Sequence, residues 1–570
     1  MDDWEKPARR LTNSDPTIYY DQSYESRVTM KRILSLIAAF LFLGTVRASE
    51  PLSIEQCKTN INAMVAKMNQ GATEGPYRPN WQSVTQHEAQ PEWFLDGKVG
   101  IYFHWGVYSV PAHGNEWYMR KMHIKTGPEK QSYYEHHRET WGEPDEFGYH
   151  DFVPMFKAQH FDASEWADLF VKSGARWAGP VCEHHDGYSM WDSEMTPWNA
   201  ADTGPKRDIT GELAKAVKDR GLKFVTTFHH ERSRNWVPRV EGWPTASDDP
   251  VLQFLYMNIS EYLFNMLFQA KLGEAIDKYE PDMIWFDGRM SDILEPYHLN
   301  FLAYYFNQAD KWGKDVMVTT KKLQYPQEVA VLDFEKGRTA ALTPYPWLND
   351  DTISTGSWCY TDTLAVKPAK VVVHDFIDSV SKNGHLLLNL SPKSDGTIPQ
   401  DQRDCLLAFG DWLKRNGEAI YATRPWLEYG EGPTQMERAG SHQRKSLEYS
   451  GSDLRYTQSK DGKTLYMIAL GEPVNGIVAP SIIQIDESES GKVVLVGRDE
   501  ELKFEVTEGR LTIHAPKNLA TDFAHAFKLT GFKARLTPDA KARRDAELEK
   551  LHSGPIDPGK LHNDNIQFGQ

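Results

Sequence analysis

Four cysteines in 570 residues are too few to hold this chain together. Cys57, Cys182, Cys359 and Cys405 follow no zinc-framework spacing, and a disulfide-dependent fold uses more; one bridge is open to them, and the sequence does not assign it. Long apolar runs are missing too. The strongest, Ile33 to Val46, falls short of the roughly 20 residues that a membrane helix needs. Positive charge is scarce: the net charge is −16 and no basic patch stands outside the C-terminal tail, which argues against a nucleic-acid partner. A glycine-rich phosphate loop, a Gly-x-Ser-x-Gly elbow, a cysteine in an activating context and a solenoid-period repeat are all absent. Carboxylates and imidazoles are what remain for chemistry.

Aromatics are what the chain has in excess. With 18 Trp and 25 Tyr, many near His and acidic residues, it has the look of a carbohydrate site, where flat rings stack on sugar faces and polar edges bond hydroxyls. Several of them fill the core. At the N-terminus, Met30-Lys31-Arg32 precedes the apolar run, and Val46-Arg47-Ala48 ends it on a small residue, the order of a secretory signal. The expectation is a true start at Met30 and a secreted or periplasmic protein without a membrane span in its mature chain; a short internal anchor is the alternative. Residues 1–48 are set aside from the fold.

The chain is organised around Pro281-Asp282-Met283-Ile284-Trp285-Phe286-Asp287-Gly288. A continuous apolar run reads as a strand covered on both faces, and Gly288 gives a tight exit that leaves the Asp287 carboxylate at the strand's C-terminal end. Other strands are expected at 99–107, 175–183, 222–228, 316–320, 329–333 and 385–390. Helices are expected at 54–70, 161–174, 211–220, 251–279, 293–312, 368–382 and 400–416, with a loop carrying Trp347 and Trp358. Strand, polar loop and helix recur close to eight times, which predicts an α/β fold, a (β/α)8 TIM-like barrel with chemistry at the strands' C-terminal ends. After residue 425, short alternating runs separated by turn residues predict a β-sandwich. The expected domains are 49–425 (catalytic barrel), 426–535 (sandwich) and 536–570 (a charged tail with a short helix).

Two histidine pairs, His184-His185 and His229-His230, end predicted strands. Neighbours on a strand face opposite ways, so one ring of each pair can converge with Asp287. No helical His-x-x-x-His spacing supports a metal, and imidazoles that bond ligand hydroxyls are preferred; no metal or cofactor is expected. Asp287 and Glu335, each at a strand end, can serve as the paired carboxylates of a retaining glycosidase. The nucleophile must stay ionised, so it needs donors: the pocket imidazoles or an arginine. Arg338 is a candidate substrate-binding residue.

Several blocks resemble glycoside hydrolase family 29, the α-L-fucosidases. They are Gly100-Ile101-Tyr102-Phe103-His104-Trp105-Gly106, Glu116-Trp117-Tyr118, Glu183-His184-His185-Asp186-Gly187-Tyr188, Trp285-Phe286-Asp287-Gly288 and Leu386-Leu387-Leu388-Asn389-Leu390-Ser391-Pro392. The resemblance spans about 92–425. It implies a barrel with a C-terminal sandwich, a covalent glycosyl-enzyme formed on Asp287, and fucose hydroxyls bound by His104, Glu116, Trp117, His184 and His185. Trp285 lines the same pocket in this reading, and His229 or His230, closing the third strand, is a further candidate.

The sequence departs from the family in two places. Many members carry Trp-Glu ahead of a Ser-Trp-Gly-Tyr block; here Trp347-Leu348 precedes Ser357-Trp358-Cys359-Tyr360, and leucine transfers no proton. Glu335 is the first choice for the acid/base and Asp350 or Asp351 the second; the bland role for Glu335 is a salt bridge to Lys336 or Arg338. Glu183 also stands where the family has lysine. The expected function is release of terminal L-fucose from oligo- or polysaccharides. A catalytically silent fucose-binding protein and a related α-L-galactosidase are the alternatives. Oligomeric state is not legible.

Overall fold

In a computed structural model of the chain, residues 52–552 are described, apart from 289, 323, 437–439, 443–446, 487–490 and 520–522. The signal-like stretch and the end of the tail lie outside the described residues.

Eight parallel strands close into a barrel in sequential order. They are β1 (Val99–Phe103), β2 (Trp177–Glu183), β3 (Lys223–Phe228), β4 (Met283–Phe286), β5 (Met317–Lys321), β6 (Ala330–Asp333), β7 (Trp347–Thr352) and β8 (Gly384–Leu390). Every β4 residue is buried, as its apolar run requires. Inward side chains from all eight strands, among them Tyr102, Val181, Val225, Met283, Trp285, Met317, Val331, Leu348 and Leu387, pack into one cluster that fills the barrel. The interior is therefore a packed core, and only the strand ends are free to hold a ligand.

Helices surround it: α1 (Ile54–Gly71), α2 (Ala163–Lys172), α3 (Ile209–Lys218), α4 (Glu261–Tyr279), α5 (Glu295–Trp312), α6 (Ala369–Ser381) and α7 (Gln400–Asn416). Their starts follow local chemistry. Ser53 and Gln56 form a reciprocal capping box on α1, and the Asp162, Asp208 and Ser260 side chains accept first-turn N–H groups of α2, α3 and α4. Gly313 ends α5 in the left-handed conformation.

Two expectations are corrected. The helical pattern over 251–279 is two helices, Pro250–Leu255 and Glu261–Tyr279, because the chain turns at Tyr256–Ser260 and Ser260 starts a new cap. The loop around Trp347 is the missing strand β7. Its polar sequence, Trp-Leu-Asn-Asp-Asp-Thr, hides the alternation: Leu348 joins the core and Asp350 follows it inward, while Asp351 pairs with Lys367 outside. The four cysteines are free and buried. Burial pushes the Cys57 thiol up to about 11 and Cys405 to about 12, so neither is poised to react.

Beyond the barrel lie β9 (Thr423–Glu431), β10 (Leu454–Ser459), β11 (Thr464–Ala469), β12 (Ile477–Val478), β13 (Ile483–Ile485), β14 (Lys492–Leu495), β15 (Phe504–Thr507), β16 (Arg510–His514), β17 (His525–Thr530) and β18 (Ala534–Leu536). They form antiparallel sheets in the orders β9-β10-β11-β17-β14, β12-β16-β15 and β13-β18 around a second core. Barrel and C-terminal sheets belong to one compact unit. Among the described residues no helix is long and apolar enough to cross a membrane.

Candidate active site

Strand alternation builds the site. Inward positions on β4 are Met283 and Trp285, and the next in that row is Asp287. On β5 the row Met317, Thr319 ends on Lys321; on β6 Val331 and Asp333 lead to Glu335; on β7 Leu348 leads to Asp350. Four adjacent strands thus deliver four carboxylates and one ammonium to one end of the barrel.

Lys321 joins them. Its Nζ donates to Asp287 Oδ1 at 2.7 Å and to Glu335 Oε2 at 3.0 Å, and lies 3.3 Å from Asp350 Oδ2. Burial would strip the proton from this ammonium, but Asp287, Asp350 and Glu335 outweigh it and hold the pKa well above its ordinary value. The same pairing acts in reverse on Asp287. Burial favours its neutral form, yet the Lys321 ammonium holds the carboxyl well below the usual range, so it is ionised. Below the bridge, Asp350 accepts from Tyr102 Oη at 3.1 Å, and Asp333 accepts from Trp285 Nε1 at 3.2 Å. Burial pushes Asp333 up to about 6 and raises Asp350 well above its usual range. Like-charged neighbours in a dry site cannot all ionise.

The imidazoles form the opposite wall. His104 Nδ1 donates to Asn389 Oδ1 at 2.7 Å, while Asn389 Nδ2 donates to the Trp358 carbonyl at 2.8 Å, which fixes the amide's orientation. His104 Nε2 is left as an acceptor. Burial holds His104 neutral, down to about 3, and keeps His184 and His229 well below their ordinary value. Ring nitrogens of these three lie within 4.8 Å of one another, and Nδ1 of both His184 and His229 has no hydrogen-bond partner among the described residues. Such a donor set suits sugar hydroxyls, and by its chemistry would also accept a borderline cation. His185 Nδ1 donates to the His229 carbonyl at 2.8 Å, and its Nε2 lies 3.5 Å from Asp287 Oδ2.

One ring of each pair was expected to face inward. At β3 this holds: His229 faces the site and His230 stacks on Phe268 outside. At β2 both rings turn inward, 4.5 Å apart, because the strand ends at Glu183 and alternation stops there. Glu183 faces outward, and its charge is answered by Lys271 of α4 at 2.5 Å, both side chains fully buried. Reversed charge at the head of this block is therefore matched from a neighbouring helix.

Aromatic rings frame the mouth. Trp358 stacks on His104 with centroids 5.3 Å apart, and Trp117 stands edge-on to His185 and Trp236. Glu116 Oε2 accepts the Trp358 N–H at 3.2 Å, which ties its loop to the one bearing Trp358.

The structure brings together Asp287, Glu335, His104, Glu116, Trp117, His184, His185, Trp285 and His229. It does not bring in Arg338. That side chain turns outward from the β6 end to pair with Asp375 of α6, because it stands one step off the inward row that carries Glu335. The partner expected for Glu335 is corrected as well: it is Lys321, while Lys336 donates to the Gly356 carbonyl. Asp351 is outside and paired with Lys367, and Asp350 lies beneath the bridge, almost wholly buried. Sequence reading missed Lys321, Asn389 and Trp236. The first was within reach, since the expected strand at 316–320 stopped one residue short of an inward position.

The sequence pattern of the alpha-L-fucosidase family matches residues 64–418, and that of the alpha-L-fucosidase C-terminal domain matches 448–530. The tissue alpha-L-fucosidase of Bos taurus is 29% identical over 536 residues, covering 89% of this chain and 100% of its own. The plasma alpha-L-fucosidase of Homo sapiens is 30% identical over 415 residues, covering 70% of this chain and 80% of its own. Among solved structures, the alpha-fucosidase of Thermotoga maritima in complex with fucose is 29% identical with a TM-score of 0.64, covering 79% of this chain and 99% of that one. The same enzyme in complex with a mechanism-based inhibitor gives a TM-score of 0.65 at 29% identity, covering 80% and 100%. With a barrel of this order, C-terminal sheets behind it and the family pattern running through both, the chain belongs to the α-L-fucosidases, glycoside hydrolase family 29.

Proposed function

We propose that this protein is a secreted, exo-acting, retaining α-L-fucosidase that releases terminal L-fucose from oligo- or polysaccharides, with Asp287 as nucleophile and Glu335 as acid/base. One observation carries the mechanism: a single ammonium binds an oxygen of each carboxylate, at 2.7 and 3.0 Å. Those oxygens are therefore no farther apart than the two lengths combined. That suits a retaining pair, about 5–5.5 Å apart, and falls short of the roughly 6.5–9.5 Å that an inverting enzyme needs to fit a water.

In the first step Asp287 attacks the anomeric carbon, the glycosidic C–O bond breaks and Glu335 gives its proton to the leaving oxygen. Asp287 loses its charge in the ester, and Glu335, now ionised, is paired by Lys321. In the second step Glu335 takes a proton from water, whose oxygen attacks the same carbon and frees Asp287. Neutral His104, His184 and His229 receive or donate hydroxyl bonds, and the packed interior beneath Trp285 closes the pocket, which favours cleavage at a chain end. No cofactor enters this scheme. Secretion rests on the Met30–Ala48 sequence alone. The division of the chain near residue 425 is supported by Thr423–Glu431, which pairs into the C-terminal sheet.

The test is single-turnover hydrolysis of an aryl α-L-fucoside, which needs little protonation of its leaving group. Asp287→Ala is expected to lose all activity. Glu335→Ala should still release the aryl group, respond to azide, and lose roughly 100-fold or more on a natural disaccharide. Wild-type rates for Glu335→Ala on the disaccharide would move the acid elsewhere.

A further inference from the structure

The chain between β9 and β10 leaves the C-terminal sheet and returns to it. Its neck is closed by Asp453, a fully buried carboxylate. Oδ1 accepts the Thr434 N–H at 2.8 Å, and Oδ2 accepts the Ser450 N–H at 2.8 Å and the hydroxyls of Thr434 and Ser450 at 3.0 and 3.1 Å. Both ends of the excursion are thus tied to one side chain.

Its described middle reaches the turn that carries Glu335. Gly440 and Arg338 form an antiparallel bridge, with the Gly440 N–H donating to the Arg338 carbonyl at 2.9 Å and the Arg338 N–H returning at 3.3 Å. The His442 N–H donates to the Glu335 carbonyl at 2.7 Å. Approach is so close that a Cβ on Gly337 would strike the Gly440 carbonyl oxygen, so only glycine fits there. His442 is held at φ 60°, a conformation that non-glycine residues hold at a cost. Its Nδ1 lies 3.8 Å from Glu335 Oε1, the oxygen that Lys321 does not bind, and its side chain is 56% exposed. Lys321 thus bonds one carboxyl oxygen of Glu335 from inside the barrel, and the His442 ring stands near the other, a short movement from hydrogen-bond reach.

We propose that the C-terminal domain takes part in the reaction through His442, a positioning residue that aims the free carboxyl oxygen of Glu335 at the leaving oxygen and walls the side on which the departing sugar lies. This rests on the reading of Glu335 as the acid/base. The imidazole is half exposed at the mouth, where it can bond both that oxygen and a hydroxyl of the leaving sugar. The bland role is a latch that only steadies the loop.

Leaving-group dependence separates the two. In His442→Ala, kcat/KM on a series of aryl α-L-fucosides is expected to fall more steeply as the leaving phenol becomes less acidic, with a loss on the order of 10-fold on a fucosyl disaccharide and little change on the most activated aryl fucoside. His442→Gln, which keeps a donor at the same reach, should recover most of that loss. An equal change on every substrate, or none on the disaccharide, overturns the proposal. Glu335→Ala is run on the same series. If it shows steep leaving-group dependence and azide rescue while His442→Ala does not, only the role of His442 fails; if Glu335→Ala shows neither, the acid/base reading fails and takes this one with it.

Discussion

Replacing Lys321 by methionine removes the ammonium that joins Asp287, Glu335 and Asp350. Lys321 keeps Asp287 ionised against burial, and an aspartate beside a fixed cation is held down by about one to three pH units. Asp287 has a depressed pKa, so its ionised form is present above that value and is lost as pH falls through it. Without Lys321 the value rises, and the acidic limb of kcat/KM, which reports the free nucleophile, moves up by about one to three pH units. At about 1.4 kcal/mol per pH unit, activity on the acid side drops roughly 10- to 1000-fold, while the plateau at higher pH is partly kept. Lys321→Arg retains the charge and should hold the limb near its wild-type position. Stability should fall too, toward the lower end of the roughly 3–5 kcal/mol for breaking a buried pair, because Asp287 and Glu335 are partly exposed. The assay is kcat/KM on an aryl α-L-fucoside across acidic to neutral pH for the wild type and both variants. A Lys321→Met limb that stays where it was would show that the imidazoles alone hold Asp287 ionised, and would refute this account.

Two further expectations test parts of the fold that serve the site. Lys271→Met leaves Glu183 buried and unpaired and should cost about 3–5 kcal/mol in urea unfolding, while adding Glu183→Gln should restore much of it; additive losses would mean that the pair is not coupled. His184 is held neutral in the folded state by burial, whereas in the unfolded chain it takes up a proton below about pH 6.5. Its pKa is depressed on folding, so stability falls as pH drops through the unfolded value. Between pH 7 and 5 the wild type should lose about 2 kcal/mol more than His184→Gln, and parallel losses would refute the assignment. The variant comparison cancels the raised carboxyls Asp350 and Glu231, which act in the opposite sense.

What could be read from the sequence follows the range of the physics that sets it. Strand β4 was legible because burial on both faces leaves a continuous apolar run, and Asp287 because the barrel puts strand ends at the site. Strand β7 was not, because a strand whose inward residue is Asp350 and whose outward residue pairs with Lys367 carries no apolar period. Lys321 obeys the same alternation as Trp285 and Asp287, and was lost because the expected strand was ended at Thr320, one residue short. Glu183 looked like reversed charge because its partner, Lys271, lies in a helix far along the chain. The contact between His442 and Glu335 has no local signature. It depends on Asp453 closing the neck of the excursion between β9 and β10 and on Gly337 lacking a side chain after β6. Positions set by one strand's period are thus readable from a short window, whereas those set by a charge or backbone arriving from elsewhere are not. That divides this site: the proposed nucleophile Asp287, Lys321 and the inward His229 fall in the first class, whereas Lys271 and His442 fall in the second.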